Sequence, residues 1–328
     1  MVDLHLHLDG AISLKSARML ARLQNIEIPE SDDELLRLLR VSPDCRDLNE
    51  FLEKFDFTCS LLKTSDGLFY AYLNLCRELK ENHVEYAEIR FAPQLSQVDA
   101  FTQEDAVKAV LKARSDSPIP TNVILCCMRG ENTHEANMET VRLCDRYKDL
   151  GVCAVDLAGA EGLFPTEDYE EEFRLARKFG LNITIHAGEA AGFESVDRAL
   201  DFGAVRIGHG VNAVNSENTM ERLCKMGTTL ELCPTSNLCT SIYKDISEFP
   251  IRRFMDKNIK VTVNTDDPEI EGTDLVREYK ILRKAFSLSK EEIQSLICNA
   301  IDASFADEDT GIGLKERIRH FTDIVISE

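Results

Sequence analysis

The chain has 328 residues, 44% of them apolar and 29% charged, enough to bury the core of one large domain. Its 38 basic and 58 acidic residues leave a net charge of −20, a field that repels phosphate backbones and anionic lipid head groups, so neither nucleic acid nor a membrane surface is an expected partner. No apolar run is long enough to span a bilayer and no signal peptide is expected, while eleven cysteines with no disulfide-framework spacing fit a reducing cytoplasm.

Eight short runs rich in Val, Ile and Leu recur along the chain: Val2 to His7, Val84 to Phe91, Asn122 to Met128, Gly151 to Leu157, Asn182 to His186, Val205 to His209, Thr228 to Leu232 and Lys260 to Asn264. Nearly continuous apolar character of this kind belongs to strands buried on both faces of a parallel sheet. The first run is followed by an amphipathic stretch, Leu14 to Leu23, within an unusually long connection from Ile12 to Asn82. That connection carries a predicted helix over Leu48 to Leu62, in which Leu48, Phe51, Leu52 and Phe55 follow i, i+3, i+4, i+7 spacing. Further helices are predicted from Thr102 to Ala113, with Thr102 and Asp105 as a capping pair, and after Ser289, which is paired in the same way with Glu292. Strands alternating with helices predict an α/β fold, a (β/α)₈ TIM barrel, with a doubly wound sheet as the alternative. The insertion after strand 1 would lie over one mouth of the barrel as a lid. With no repeats and no Pro/Gly/Ser linker, residues 1–328 are expected to form a single domain.

The unusual polar residues cluster at the carboxyl ends of these strands. His5 and His7 end the first, Gly159 and Glu161 follow the fourth, and His186 and Glu189 lie at the end of the fifth. His209 ends the sixth and Asp266 and Asp267 follow the eighth. In a barrel these ends converge on one mouth, where active sites form. Strand side chains alternate, so His5 and His7 point to the same face. With His186 and Asp266 they supply three imidazoles and one carboxylate, a set suited to one zinc ion, though the absence of thiolates also admits iron or manganese. His209 and Glu189 are then the available acid and base.

At these residues the sequence resembles the adenosine deaminase family of the amidohydrolase superfamily. The matching stretches are Leu-His-Leu-His-Leu-Asp-Gly (4–10), Asp-Leu-Ala-Gly (156–159), His-Ala-Gly-Glu (186–189), Gly-His-Gly (208–210), Cys-Pro-Thr-Ser-Asn (233–237) and Asn-Thr-Asp-Asp-Pro (264–268). The resemblance implies zinc-dependent hydrolysis of a small purine nucleoside, adenosine or 2′-deoxyadenosine, to the inosine product and ammonia. His5, His7, His186 and Asp266 would hold the zinc, with His7 also facing the substrate. His209, with Asp266, would orient and help deprotonate the attacking water. Glu189 would protonate N1, Gly159 would donate its N–H to N3, Asp267 would bond at N7, and Asp9 would hold the 5′-hydroxyl. Leu48, Phe51, Leu52 and Phe55 would cover the ribose side. Adenine, N6-methyl-AMP and aminodeoxyfutalosine deaminases share this scaffold. Adenine deaminases tend to carry Glu and methyl-AMP enzymes Asn where this chain has Asp9, and Arg90 is the single cation offered near the motifs for a 5′-phosphate. Ala160 stands where some relatives carry Asp. A monomer or weak homo-oligomer is expected.

Overall fold

The computed structural model describes every residue except Asp99 and Glu328. Its eight strands are β1 (Val2–His7), β2 (Tyr86–Phe91), β3 (Thr121–Met128), β4 (Val152–Ala158), β5 (Thr184–Ala187), β6 (Arg206–His209), β7 (Thr229–Leu232) and β8 (Val261–Val263). All pair in parallel with their chain neighbours, β1 to β4 in one ladder and β5 to β8 in a second. Two seams close the ring: Val155 of β4 bridges Ile183 ahead of β5, and Leu6 of β1 bridges Asp266 just past β8. At the second seam Asp266 N–H donates to the His5 carbonyl and His7 N–H to the Asp266 carbonyl, each at 2.8 Å. The closed ring is the predicted (β/α)₈ barrel. A doubly wound sheet would instead leave two open edges.

Both predicted capping pairs form as reciprocal capping boxes, Thr102 with Asp105 and Ser289 with Glu292. The outward faces of the strands and the inner faces of the helices build one apolar core that includes Leu4, Leu6, Ile89, Val123 and Ile207. Inside the barrel the period-two alternation places something else. Glu88, Arg90, Asp156, Arg206 and Glu231 lie there, each at most 1% exposed.

The predicted helix over Leu48 to Leu62 is two shorter ones, Leu48–Leu52 and Phe55–Ser60. The apolar stripe is partly core and partly wall. Leu48 and Phe51 pack with Cys45 and Ile270 in a small cluster separate from the main core, and Leu52 and Phe55 lean against it. The Leu48–Leu52 helix therefore covers the barrel mouth on a small apolar cluster of its own, while the rest of the insertion, Leu35, Leu39, Leu61 and Leu68 among it, joins the main core. No described helix is long and apolar enough to cross a membrane.

Candidate active site

The carboxyl ends of the strands surround a cavity of about 440 Å³, roofed by Leu48, Phe51, Leu52 and Phe55. His7, Asp9, Gly159, His186, Glu189, His209, Asp266 and Asp267 all line it. Of the four residues expected to hold a metal, His5 alone does not line it and lies beneath the floor, fully buried.

The orientation of two imidazoles is fixed from behind. His5 Nδ1 lies 2.7 Å from Glu231 Oε2, and His186 Nδ1 lies 2.9 Å from Asp156 Oδ2. Ionised carboxylates only accept, so both Nδ1 atoms carry the proton and both Nε2 lone pairs face the cavity. His5 Nε2 is 3.2 Å from Asp266 Oδ1, and His7 Nε2 is 3.2 Å from His186 Nε2. Among the described residues His5 Nε2 has no hydrogen-bond partner. One ligand atom from each of His5, His7, His186 and Asp266 lies within 4.8 Å of the others. Lone pairs gathered so closely repel unless a cation lies between them, and this donor set could hold one. A second set replaces His7 and His186 by His209 and Cys233. Burial pushes the Cys233 thiol well above the usual thiol range, which keeps it neutral and a poor ligand.

The outer carboxylates are themselves held. Arg90 donates to Asp156 Oδ2 and Glu231 Oε2, both at 2.8 Å, and to the Leu4 carbonyl at 2.9 Å. Arg206 adds a bond to Glu231 Oε1 at 2.6 Å. Arg90 is thus enclosed in the barrel and out of reach of a substrate phosphate, which corrects its reading as a phosphate-binding candidate. Packing requires the glycines that flank His209. A Cβ on Gly208 would stand 2.8 Å from His5 Cε1, and one on Gly210 2.6 Å from Leu230 Cδ2.

His209 and Asp266 both adopt left-handed backbone, with φ of 59° and 61°. Such conformations cost non-glycine residues about 1–3 kcal/mol each and concentrate at functional sites. They turn the two side chains together, with His209 Nε2 3.5 Å from Asp266 Oδ2 and 3.6 Å from Glu189 Oε2. Burial lowers His209 to about 3, so its imidazole is neutral. Burial, then the charges of Asp266 and Glu161, raise Glu189 well above the carboxylate range and keep it protonated. Burial and the Asp266 charge likewise raise Asp267, and burial raises Asp9 to about 6. Asp9 Oδ1 and Asp267 Oδ1 are buried without a partner among the described residues. The Cys59 thiol, from the covering insertion, donates to the other oxygen of Asp9 at 3.6 Å. The sequence reading missed Glu231, Arg90 and Arg206 as a group, Cys59 at the cavity, and Asn237, whose Nδ2 lies 3.3 Å from both Glu189 Oε1 and His209 Nδ1. The signal for the first three was present, as charged residues interrupting apolar strand runs.

A closed parallel barrel with a His/Asp cluster at its carboxyl mouth defines an amidohydrolase-type fold. It has a TM-score of 0.87 to the structure of an adenine deaminase from Arthrobacter aurescens, 24% identical and covering 98% of each chain. To a Zn-bound amidohydrolase from Burkholderia ambifaria the TM-score is 0.84, at 20% identity over 99% of this chain and 90% of that one. Residues 1–321 match the adenosine deaminase family, and the chain belongs to it. Adenosine deaminase from Haemophilus ducreyi is 44% identical over 314 residues, covering 93% of this chain and 91% of that protein. Adenosine deaminase from Clostridium acetobutylicum is 36% identical over 323 residues, covering 97% and 96%.

Proposed function

We propose that the chain hydrolyses adenosine, and 2′-deoxyadenosine, to the corresponding inosine and ammonia, in purine salvage, with one zinc ion held by His5, His7, His186 and Asp266. The convergent Nε2 atoms and the partnerless His5 Nε2 fit that ion. When bound, zinc supplies a charge that brings the pKa of a coordinated water down to about 7.

The protein's own groups do the rest. Asp9 accepts from the 5′-hydroxyl through its free Oδ1, and the Leu48, Phe51, Leu52 and Phe55 roof excludes water above the ribose. The Gly159 N–H faces N3, and protonated Asp267 donates to N7. Protonated Glu189 donates to N1, which drains electron density from C6. His209, neutral, with its Nε2 3.5 Å from Asp266 Oδ2, orients the attacking water and takes up its proton. The water oxygen bonds to C6, the proton taken up by His209 passes to the amino group, the exocyclic C–N bond breaks and ammonia leaves, and the C6 hydroxyl gives up its proton as the carbonyl forms, restoring the proton that Glu189 lost.

The observation that carries this reading is the placement of a buried carboxyl, Glu189, in the same cavity as the His/Asp cluster. The two cations among the described residues that line the cavity, Arg129 and Lys63, are both engaged with backbone carbonyls, which favours a nucleoside over a nucleotide. Arg90 is enclosed, Arg129 is bonded to the carbonyls of Phe164 and His186, and Lys63 donates to the Leu95 carbonyl. Free thiols at all eleven cysteines support a reducing cytoplasm.

The test is the fall in ultraviolet absorbance as purified protein converts adenosine to inosine, run beside adenine and AMP. Glu189→Gln is expected to keep its zinc and lose about 10²- to 10⁴-fold in kcat, the usual contribution of a positioned acid. A variant with near-parental turnover removes Glu189 as the donor. A parent that prefers AMP or adenine removes adenosine as the substrate.

A further inference from the structure

Glu161 has no role at the substrate itself, and its charge is one of those that raise Glu189. It lies three residues beyond β4 and is 2% exposed. Its Oε1 accepts from the Gly188 N–H at 2.7 Å and from the Ser195 hydroxyl. Its Oε2 accepts from the N–H groups of Glu189 at 3.0 Å, Ala190 at 2.8 Å and Ala191 at 3.0 Å. Four successive amides thus close on one carboxylate. They belong to the turn after β5 that carries the proton donor, and buried amides left unpaired there would each be costly. The other side of the turn is held by Asn212, whose Nδ2 donates to the carbonyls of Glu189 at 2.8 Å and Ala191 at 2.9 Å.

The Glu189 side chain, by contrast, is weakly tethered. Asn237 Nδ2 reaches its Oε1 at 3.3 Å and Thr240 Oγ1 at 3.5 Å. Its direction is set by the main chain of the turn, and the turn is set by Glu161. We propose that Glu161 is a positioning residue for the deamination, the anion that folds residues 188–191 so that the Glu189 carboxyl meets the purine. This rests on the reading of Glu189 as proton donor.

Glu161→Gln tests it, because a carboxamide brings N–H groups against a ring of N–H donors. The expected result is unchanged zinc content, KM for adenosine within about 3-fold of the parent, and kcat lower by about 10²-fold, as for a misplacement near 1 Å. In a Glu189→Gln background the same change should cost less than about 3-fold, since the two losses share one route. Amides 188–191 should exchange hydrogen faster in the single variant. Loss in KM with kcat intact, equal losses in both backgrounds, or unaltered exchange overturns the proposal. If Glu161→Gln does not fold, Ser195→Ala removes one of the five donors, and about a 3- to 10-fold kcat loss confined to the Glu189 background is expected. No loss, or the same loss in both backgrounds, overturns it. A parent inactive on purines overturns the reaction instead, and the exchange comparison then still reports whether Glu161 holds the turn.

Discussion

Glu231→Gln separates the charge behind His5 from everything else at the site. Glu231 accepts from His5 Nδ1 at 2.7 Å, Arg206 Nε at 2.6 Å, Arg90 Nη2 at 2.8 Å and Thr184 Oγ1 at 3.1 Å, and it is wholly buried. A glutamine of the same shape keeps one acceptor oxygen, and with that oxygen in the place of Oε1, facing Arg206 and Thr184, its amide nitrogen faces Arg90 and His5 Nδ1. Its amide then donates to His5 Nδ1, the ring moves its proton to Nε2, and that atom turns from ligand to donor facing Asp266 Oδ1, 3.2 Å away. Loss of such an outer partner costs about 10- to 100-fold in metal affinity. Breaking a buried ion pair also costs about 3–5 kcal/mol of stability. Unfolding entropy near 2.1 cal/mol/K per residue amounts to about 0.7 kcal/mol/K over 328 residues, so Tm should fall by about 4–7 °C. Zinc affinity is read by competition with a chromogenic chelator and stability by melting the metal-free protein. A variant that loses stability but binds zinc as the parent does refutes the argument that Glu231 sets the His5 tautomer.

Two further outcomes follow from the packing and the buried acids. Gly10→Ala places a Cβ 1.7 Å from Asp267 Oδ1, so the carboxyl must move, and kcat/KM for adenosine should fall by about 10²-fold; near-parental kinetics would remove Asp267 from the site. Glu278 is buried, accepts from Thr235 and Thr273, and is raised by burial from 4.5 to about 7. The native carboxyl therefore holds a proton that the unfolded chain has released, and stability falls as pH rises from about 4.5 to about 7, by about 3 kcal/mol from this group. Urea unfolding at either end of that window should show a flatter pH dependence in Glu278→Gln than in the parent, and equal slopes would refute the assignment.

The sequence exposes those parts of this molecule that depend on local pattern. Strand alternation alone places His5 and His7 on one face, and capping pairs mark helix starts at Thr102 and Ser289. The eight strands begin and end within two residues of their apolar runs. What stays hidden is set by partners distant in the chain. Arg90 reads as a lone cation at a strand end, and only barrel closure shows it spanning Asp156 and Glu231. The break in the predicted helix over Leu48 to Leu62 likewise follows from no residue in the apolar stripe itself, since both halves keep its spacing.

The same contrast explains how a fully buried charged layer coexists with a stable barrel. Two arginines and three carboxylates at most 1% exposed would be costly as isolated charges. Here Arg206 pairs with Glu88 and Glu231, and Arg90 with Asp156 and Glu231, so that each guanidinium bridges two carboxylates. The layer is a positioning device. Its carboxylates hold the two imidazole protons away from the cavity, which fixes the direction of the Nε2 lone pairs before any cation arrives. An aliphatic layer would fill the same space and leave both rings free to rotate or change tautomer. The barrel thus carries its charge where the geometry of the cluster depends on it, directly behind His5 and His186.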